Sequence, residues 1–376
     1  MKIAVNSLYY REPPTGISRY VYQLMNWLCR IDSKNEYLFF IAEKYSKKFA
    51  GLPISSINVS DRFSMLRMFR EPWILGNLIK KHKIDLFHSP HFVLPATVSC
   101  LKVITFHDTA AFEFPEFFPL IKRSFWKWTV PCALQRTDHI IADSYAIQKK
   151  IQALFPRYIK PVSVVPLGIE PEIPEDKLPL YSGKFNFAAP YILFVGIISP
   201  RKNLLRLIRA YKQLIEQYNL PHHLVLAGGH GWWENVYYRE VCRYIERHNL
   251  TGKVVLPGII SDQELRALYK NADMLIQPSV GEGFGMPVLE AMAAGLSVAA
   301  ADDSSLPELI GGAGVLFDPY SETSMVQAMV ELLQNKNLRD SLIQKGLNRA
   351  QQYTCENTAR KTVEVYNSVL EESINR

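Results

Sequence analysis

Twelve short apolar runs rich in Val, Ile, Leu and Phe punctuate the 376-residue chain, each followed by a longer stretch of helical periodicity. Runs of this kind need cover on both faces, which a parallel sheet flanked by helices provides. Six lie in the first half, at 2–7, 37–42, 84–89, 102–108, 139–144 and 162–168. Six more follow, at 191–196, 223–229, 254–258, 274–279, 297–302 and 315–319. The pattern predicts an α/β chain of two doubly wound parallel-sheet domains. Between them, residues 169–190 hold four prolines and four acids with no sustained period, which reads as a linker. Beyond Pro319 the periodicity is helical to the end, with SETSMVQAMVELLQN as a capped helix and Thr354 opening the last one. Open sheets of this type bind ligands beyond the carboxyl ends of their strands, so two such domains facing each other are expected to form a cleft.

Charge is unevenly divided. Residues 1–160 carry 23 basic and 12 acidic side chains, whereas the remainder carries 20 and 24. The first half is therefore the part expected to face something acidic: a phosphate-bearing substrate or an anionic lipid. No zinc-finger spacing, RNP-like motif or basic coiled-coil region speaks for nucleic acid. The five cysteines are scattered without a CxxC pair, which fits a reducing compartment and no disulfide or metal framework. MKIAVNSLYYRE lacks a signal-peptide core, and no apolar run approaches the ~18 residues of a membrane span. A cytoplasmic location is expected, with any membrane contact peripheral.

Two stretches of the second half carry phosphate-binding chemistry. FVGIISPRKN (194–203) leaves a strand, turns at Gly196 and places Arg201 and Lys202 just before a helix. Two cations beside a helix N-terminus, itself equivalent to roughly +0.5 charge, suit a diphosphate, although a solvated basic turn has the same pattern. PSVGEGFGMPVLEAMAAGLSV (278–298) combines a turn containing Gly281, Gly283 and Gly285 with Pro287 at a helix start. Its two glutamates are expected in the loop (Glu282) and on the first turn of the helix (Glu290). Glycines let backbone N–H groups approach phosphate oxygens; a purely structural turn, with Glu290 complementing the helix dipole, is the alternative.

These segments, with ADMLIQPS (272–279), GIISDQELRALY (258–269), LVLAGG (224–229) and PLGI (166–169), resemble the retaining family 4 glycosyltransferases of GT-B fold over essentially the whole chain. The resemblance implies a first domain of residues 1–168, a linker of 169–190, a nucleotide-sugar-binding domain of 191–353 and a helix of 354–376 crossing back to the first domain. It implies that Arg201 and Lys202 hold the donor diphosphate, that Glu290 hydrogen-bonds the ribose and that Glu282 contacts hydroxyls of the transferred sugar. Gly283, Phe284 and Gly285 fall within the same donor loop.

In the first domain TGISRY (15–20) resembles the family's glycine-rich loop, with Gly16 approaching the donor, but Pro13, Pro14 and Thr15 replace its leading glycine. His107 and Asp108 in TFHDTA match the family's active-site histidine and its neighbour, which places His107 beside the reacting sugar. The alternative is a buried histidine bonded to Asp108. HSPHFVLP (88–95), with His88 and His91, is expected on the acceptor side and resembles members that use GDP-mannose. Ser144 in IADSYA either reaches a phosphate or simply caps the next helix.

Transfer from a nucleotide sugar needs the leaving diphosphate stabilised, which fixed cations and helix dipoles can supply. Asp302-Asp303-Ser304 is the nearest approach to an acidic metal motif, so no metal and no cofactor are expected. The implied route is front-face attack with retention, unlike the flanking carboxylates of glycosidases. The donor expected is GDP-mannose, with a UDP-sugar as the alternative and a non-enzymatic nucleotide-binding module as a remote one. Basic and aromatic residues mix in RFSMLRMFREPWILGNLIKKHK (62–83) and KRSFWKW (122–128). Such stretches either rest on an anionic bilayer or are ordinary amphipathic helices with basic outer faces. The first reading implies a polyprenyl-diphosphate-linked oligosaccharide as acceptor, as in bacterial surface-polysaccharide assembly.

Overall fold

The computed structural model describes residues 1–12, 16–49, 55–59, 67–95, 98–158, 160–170, 190–231 and 234–374, excepting the side chains of residues 67–70 and 122. It divides into two compact units: Met1–Phe112, Leu120–Gly168 and Tyr353–Arg376 form one, and Glu113–Pro119 with Ile169–Gln352 the other. The short segment Glu113–Pro119, which lies inside the expected first domain, thus clusters with the second unit. Most of the expected linker, residues 171–189, lies outside the described residues.

The first unit is built on seven parallel strands: β1 (Lys2–Asn6), β2 (Glu36–Ala42), β3 (Ser55–Val59), β4 (Leu86–Ser89), β5 (Leu101–Phe106), β6 (His139–Ala142) and β7 (Val162–Val164). Their order is β3-β2-β1-β4-β5-β6-β7, so the winding reverses between β1 and β4. Helices α1 (Gly16–Ile31), α2 (Arg67–His82), α3 (Ala110–Glu113), α4 (Leu120–Arg136) and α5 (Tyr145–Leu154) follow strands in turn. Period-2 alternation splits each strand between two cores. Phe40, Phe87, Ile104 and Ile140 point to one face, where Leu75 and Ile79 of α2, Val130 and Leu134 of α4 and Ile147 and Ile151 of α5 cover them. Ile3, Phe39, Leu86, Val103 and Ile141 point to the other, beneath Val21, Leu24, Met25 and Leu28 of α1. Each such fully buried side chain contributes about 1.5–3 kcal/mol.

The second unit has six parallel strands: β8 (Tyr191–Val195), β9 (His223–Ala227), β10 (Val254–Gly258), β11 (Met274–Gln277), β12 (Val298–Ala301) and β13 (Val315–Phe317). They are ordered β10-β9-β8-β11-β12-β13, with the reversal between β8 and β11. Its helices are α6 (Leu204–Tyr218), α7 (Asn235–Arg247), α8 (Asp262–Asn271), α9 (Met286–Ala293), α10 (Leu306–Ile310), α11 (Glu322–Gln334) and α12 (Lys336–Ala350). A capping box between Ser261 and Glu264 opens α8, and Ser321 caps α11 by accepting from the Ser324 N–H at 3.1 Å.

The last helix, α13 (Cys355–Ile374), belongs to the first unit and adds Ala359, Val365, Tyr366 and Val369 to the core under α1. Thr354 caps it by accepting from the Asn357 N–H at 3.1 Å, and Thr358 Oγ1 donates to the Pro166 carbonyl at 2.8 Å. Gly168 makes this junction possible: a Cβ there would stand 2.1 Å from the Thr354 carbonyl carbon. Among the described residues no helix is long and apolar enough to cross a membrane.

Candidate active site

The reversal of strand order in the second unit sends the loops after β8 and β11 to opposite sides of the sheet and opens a crevice at their carboxyl ends. Beyond β8, Pro200–Lys202 forms a single helical turn, and Asn203 adopts a left-handed conformation (φ 57°) that starts α6. The Asn203 side-chain amide donates to the carbonyls of Pro278 at 3.2 Å and Pro319 at 2.7 Å, fixing the turn against the neighbouring loops. In return Val280 N–H donates to the Arg201 carbonyl at 2.9 Å, and Arg201 Nη1 to the Gly281 carbonyl at 3.3 Å.

Glu282 is the electrostatic centre of this assembly. Its carboxylate accepts from Arg201 Nη1 at 3.0 Å, from Lys202 Nζ and from Gln277 Nε2 at 3.2 Å. Burial alone would push its pKa up, but the charges of Lys202 and Arg201 outweigh this and hold it well below the ordinary carboxylate range. One carboxylate thus pairs with two cations at the switch point, with Asp303 on the adjoining loop. Gly285 is required where the loop enters α9: its φ is 103°, and a Cβ there would stand 2.6 Å from Leu306 Cδ2. Gly283 and Phe284 are buried within the same loop. Gly281 N–H donates to Asp303 Oδ1 at 2.7 Å, and Ser305 Oγ donates to the Glu282 carbonyl at 3.0 Å. Gly196 follows β8 at a φ of 154°, with Lys202 Cε 3.5 Å from where its Cβ would be.

Glu290 lies on the second turn of α9 rather than the first, because that helix begins at Met286. It is partly buried and its Oε2 accepts from the Tyr269 hydroxyl at 2.8 Å.

In the first unit His107 follows β5 directly. Its Nδ1 lies 2.8 Å from Oδ2 of Asp143, not of Asp108, whose Oδ1 instead accepts from the Ala110 N–H at 3.2 Å. The sheet register explains the choice of partner: Phe106 pairs with Ala142, so the residues that follow emerge side by side at adjacent strand ends. Burial lowers the His107 pKa, but the Asp143 charge and hydrogen bond more than offset it, leaving the imidazole easier to protonate than a free histidine. His91 stacks on Tyr9 with ring centroids 4.7 Å apart.

His88 departs from the expected acceptor-side position. It is fully buried on β4, with Nδ1 2.7 Å from the Tyr366 hydroxyl and Nε2 2.8 Å from Thr105 Oγ1. Both ring nitrogens are thereby committed to the core, and burial pushes its pKa down to about 3. Ser144 is 1% exposed and caps α5 through the Ile147 N–H at 3.2 Å. Gly16 is the first residue of α1, and a Cβ there would meet nothing within 4 Å. Pro13, Pro14 and Thr15 lie outside the described residues. The structure thus gathers Arg201, Lys202, Glu282 and their glycine loop in the second unit and couples His107 to Asp143 in the first. The sequence pattern marks Ser144 but not Asp143 beside it, nor Gln277 and Tyr269; a lone carboxylate at a strand end carries no distinctive spacing.

Two doubly wound parallel-sheet units, with a cation-lined crevice at the switch point of the second, are the architecture of a GT-B glycosyltransferase. The model for glycosyltransferase family 4 matches residues 14–173, and that for glycosyl transferases group 1 matches residues 182–349. The chain belongs to the family 4 glycosyltransferases and is a hexosyltransferase enzyme. It is 27% identical to O-antigen chain mannosyltransferase B of Escherichia coli, over 97% of this chain and 99% of that protein. It is 26% identical to O-antigen chain mannosyltransferase RfbU of Salmonella typhimurium, over 70% of this chain and 69% of that one. Among solved structures, sucrose-phosphate synthase of Thermosynechococcus elongatus matches with a TM-score of 0.77 at 18% identity, covering 99% and 100% of the two chains. Anabaena HepE in complex with UDP and glucose matches equally, with a TM-score of 0.77 at 18% identity and 98% and 100% coverage.

Glu282→Gln removes an anion that pairs with both Arg201 and a nearly buried Lys202, so it is expected to lower unfolding stability by about 3–5 kcal/mol at neutral pH. The folded pKa of Glu282 lies below its unfolded value of ~4.3, so this contribution is complete above that value and fades as pH falls through the folded pKa. Urea titrations of both proteins at several pH values check it: the gap should stay constant near neutrality and narrow in acid.

Proposed function

We propose that this enzyme transfers a mannosyl group from GDP-mannose, with retention, to a glycan or polyprenyl-diphosphate-linked oligosaccharide in surface-polysaccharide assembly. The observation that carries the reading is the Arg201–Glu282–Lys202 cluster at the β8/β11 switch point, which offers fixed positive charge where a diphosphate leaving group develops its own negative charge. The names of the two O-antigen mannosyltransferases support the sugar and the process. In the reaction, the bond between the anomeric carbon and the diphosphate oxygen breaks with its electron pair going to phosphate. The acceptor oxygen attacks from the same face, and its proton passes to a leaving-phosphate oxygen. Arg201 and Lys202 stabilise the departing charge, Glu290 holds the ribose, Glu282 orients the cations and meets the sugar, and His107 lies beside the reacting sugar. The cations make a divalent metal unnecessary.

Turnover of GDP-mannose, UDP-sugars and ADP-sugars, with NMR assignment of the product anomer, tests this. GDP-mannose should be used best, the product should be α-linked and EDTA should leave the rate unchanged. Arg201→Ala should lower kcat by about a hundredfold or more, and Glu290→Ala should chiefly raise the donor KM. A preference for a uridine donor, an inverted product or complete loss of activity in EDTA contradicts the corresponding element.

Peripheral contact with an anionic membrane is part of the same proposal. Helices α2 and α4 cover one sheet face, and each turns a stripe of i, i+1, i+4, i+7, i+8 spacing outward. On α2 it comprises Trp73, Ile74, Asn77, Lys80 and Lys81; on α4 it comprises Leu120, Ile121, Ser124, Lys127 and Trp128. Leu120, Ile121 and Trp128 are each over 70% exposed, and Trp73 is 64% exposed. Tryptophan with lysine suits the headgroup region of an anionic bilayer. Residues 62–66 of the basic stretch lie outside the described residues. Sedimentation should show binding to phosphatidylglycerol vesicles at low salt, little binding to phosphatidylcholine, and a several-fold loss in Trp73→Ser/Trp128→Ser. Equal binding to neutral vesicles, or none to either, contradicts it.

A further inference from the structure

We propose that Asp143 is a positioning residue of this enzyme: its Oδ2 holds Nδ1–H of His107 and so fixes the imidazole in one tautomer and one orientation, with Nε2 as the nitrogen left for a ligand. The proposal rests on the reading of His107 as a group beside the reacting sugar.

The 2.8 Å contact sets the tautomer, because a carboxylate only accepts and Nδ1 must therefore carry the proton. Asp143 is 1% exposed, and its second oxygen, Oδ1, is buried without a hydrogen-bond partner among the described residues. A buried carboxylate is costly unless paired. Here the hydrogen bond to His107 is the compensation, which makes the pair a poor device for stabilising the sheet and an effective one for orienting a ring. On the histidine, Nε2 is buried and has no hydrogen-bond partner among the described residues, while the nearby Pro90 carbonyl favours the protonated ring, so Nε2 is the ring nitrogen that Asp143 does not engage.

The ring is also held from the side. Tyr20 of α1 meets it edge to face with centroids 4.8 Å apart. The Tyr20 hydroxyl lies 3.3 Å from Thr105 Oγ1, which lies 2.8 Å from His88 Nε2, and His88 Nδ1 in turn meets the Tyr366 hydroxyl at 2.7 Å. This relay begins on α13 and ends at the wall against which His107 packs. It gives His88 a role in supporting the site from within the core.

The titratable groups acting on His107 are Asp143 and Asp108, which favour its protonated form, and His88, His91 and Tyr20, which lie on the neighbouring elements. Of these, Asp143 has the largest effect after burial itself. Replacing it with a neutral isostere therefore lowers the pH at which His107 titrates.

The test compares wild type, Asp143→Asn, His107→Gln and the double variant, reading kcat, donor KM and the His107 ring resonances across pH by NMR. Asp143→Asn should move the His107 titration about one pH unit or more toward acid. It should lower kcat about tenfold with little change in KM, and cause no further loss in the His107→Gln background. An unmoved His107 titration, or a kcat loss that adds in full to that of His107→Gln, overturns the proposal. Full turnover by His107→Gln instead overturns the underlying reading of His107, a result the NMR titration distinguishes. Should Asp143→Asn not fold, Asp143→Ser reports the same quantities.

Discussion

A parallel sheet can be wound outward from a central strand in two directions, and where the direction changes, two adjacent strands must send their loops apart. That constraint sets the crevice between β8 and β11 in the second unit, and a like reversal falls between β1 and β4 in the first. The chemistry-bearing residues of the second unit are those which the crevice makes available: Arg201 and Lys202 leave one side of it and Glu282 the other. The glycines between them have a backbone function, since Gly285 sits at a φ of 103° where a side chain is strained.

Electrostatics determines what such a crevice can hold. Lys202 is only 7% exposed, and a buried ammonium is costly unless paired; Glu282 is its partner. Glu282 holds two cations close to one another. In the proposed reaction, the diphosphate of the donor meets these cations at the point where the leaving group must be stabilised. The first unit uses the opposite arrangement, a buried anion holding a histidine that is readily protonated, between neighbouring strand ends set by the register of β5 and β6.

Much of the fold was legible because buried parallel strands have an unmistakable composition. YILFV and MLIQ could be read as strands without reference to the rest of the chain, and LLRLIRAYKQL as a helix. β3 was not, since SSINV is a partly exposed edge strand whose apolar residues cover one side only. In the site, the cations and Glu282 were legible from their place beside turns and strand ends. Partnerships were not: whether His107 meets Asp108 or Asp143 depends on the register of two strands 36 residues apart, which no local pattern encodes. His88 misled for the same reason, because its burial is decided by Tyr366 on a helix 278 residues away. Glu290 falls one residue beyond the expected first turn, since α9 begins at Met286, directly after the left-handed Gly285.

The central claim is that Arg201 and Lys202 bind the second phosphate of the donor. Calorimetry of GDP and GMP binding to the wild-type enzyme and to Arg201→Ala tests it most directly. The account predicts that the wild type binds GDP at least about tenfold more tightly than GMP, a difference of ~1.4 kcal/mol, and that the gap largely closes in the variant. A gap that persists undiminished in Arg201→Ala, or equal binding of the two nucleotides by the wild type, contradicts it.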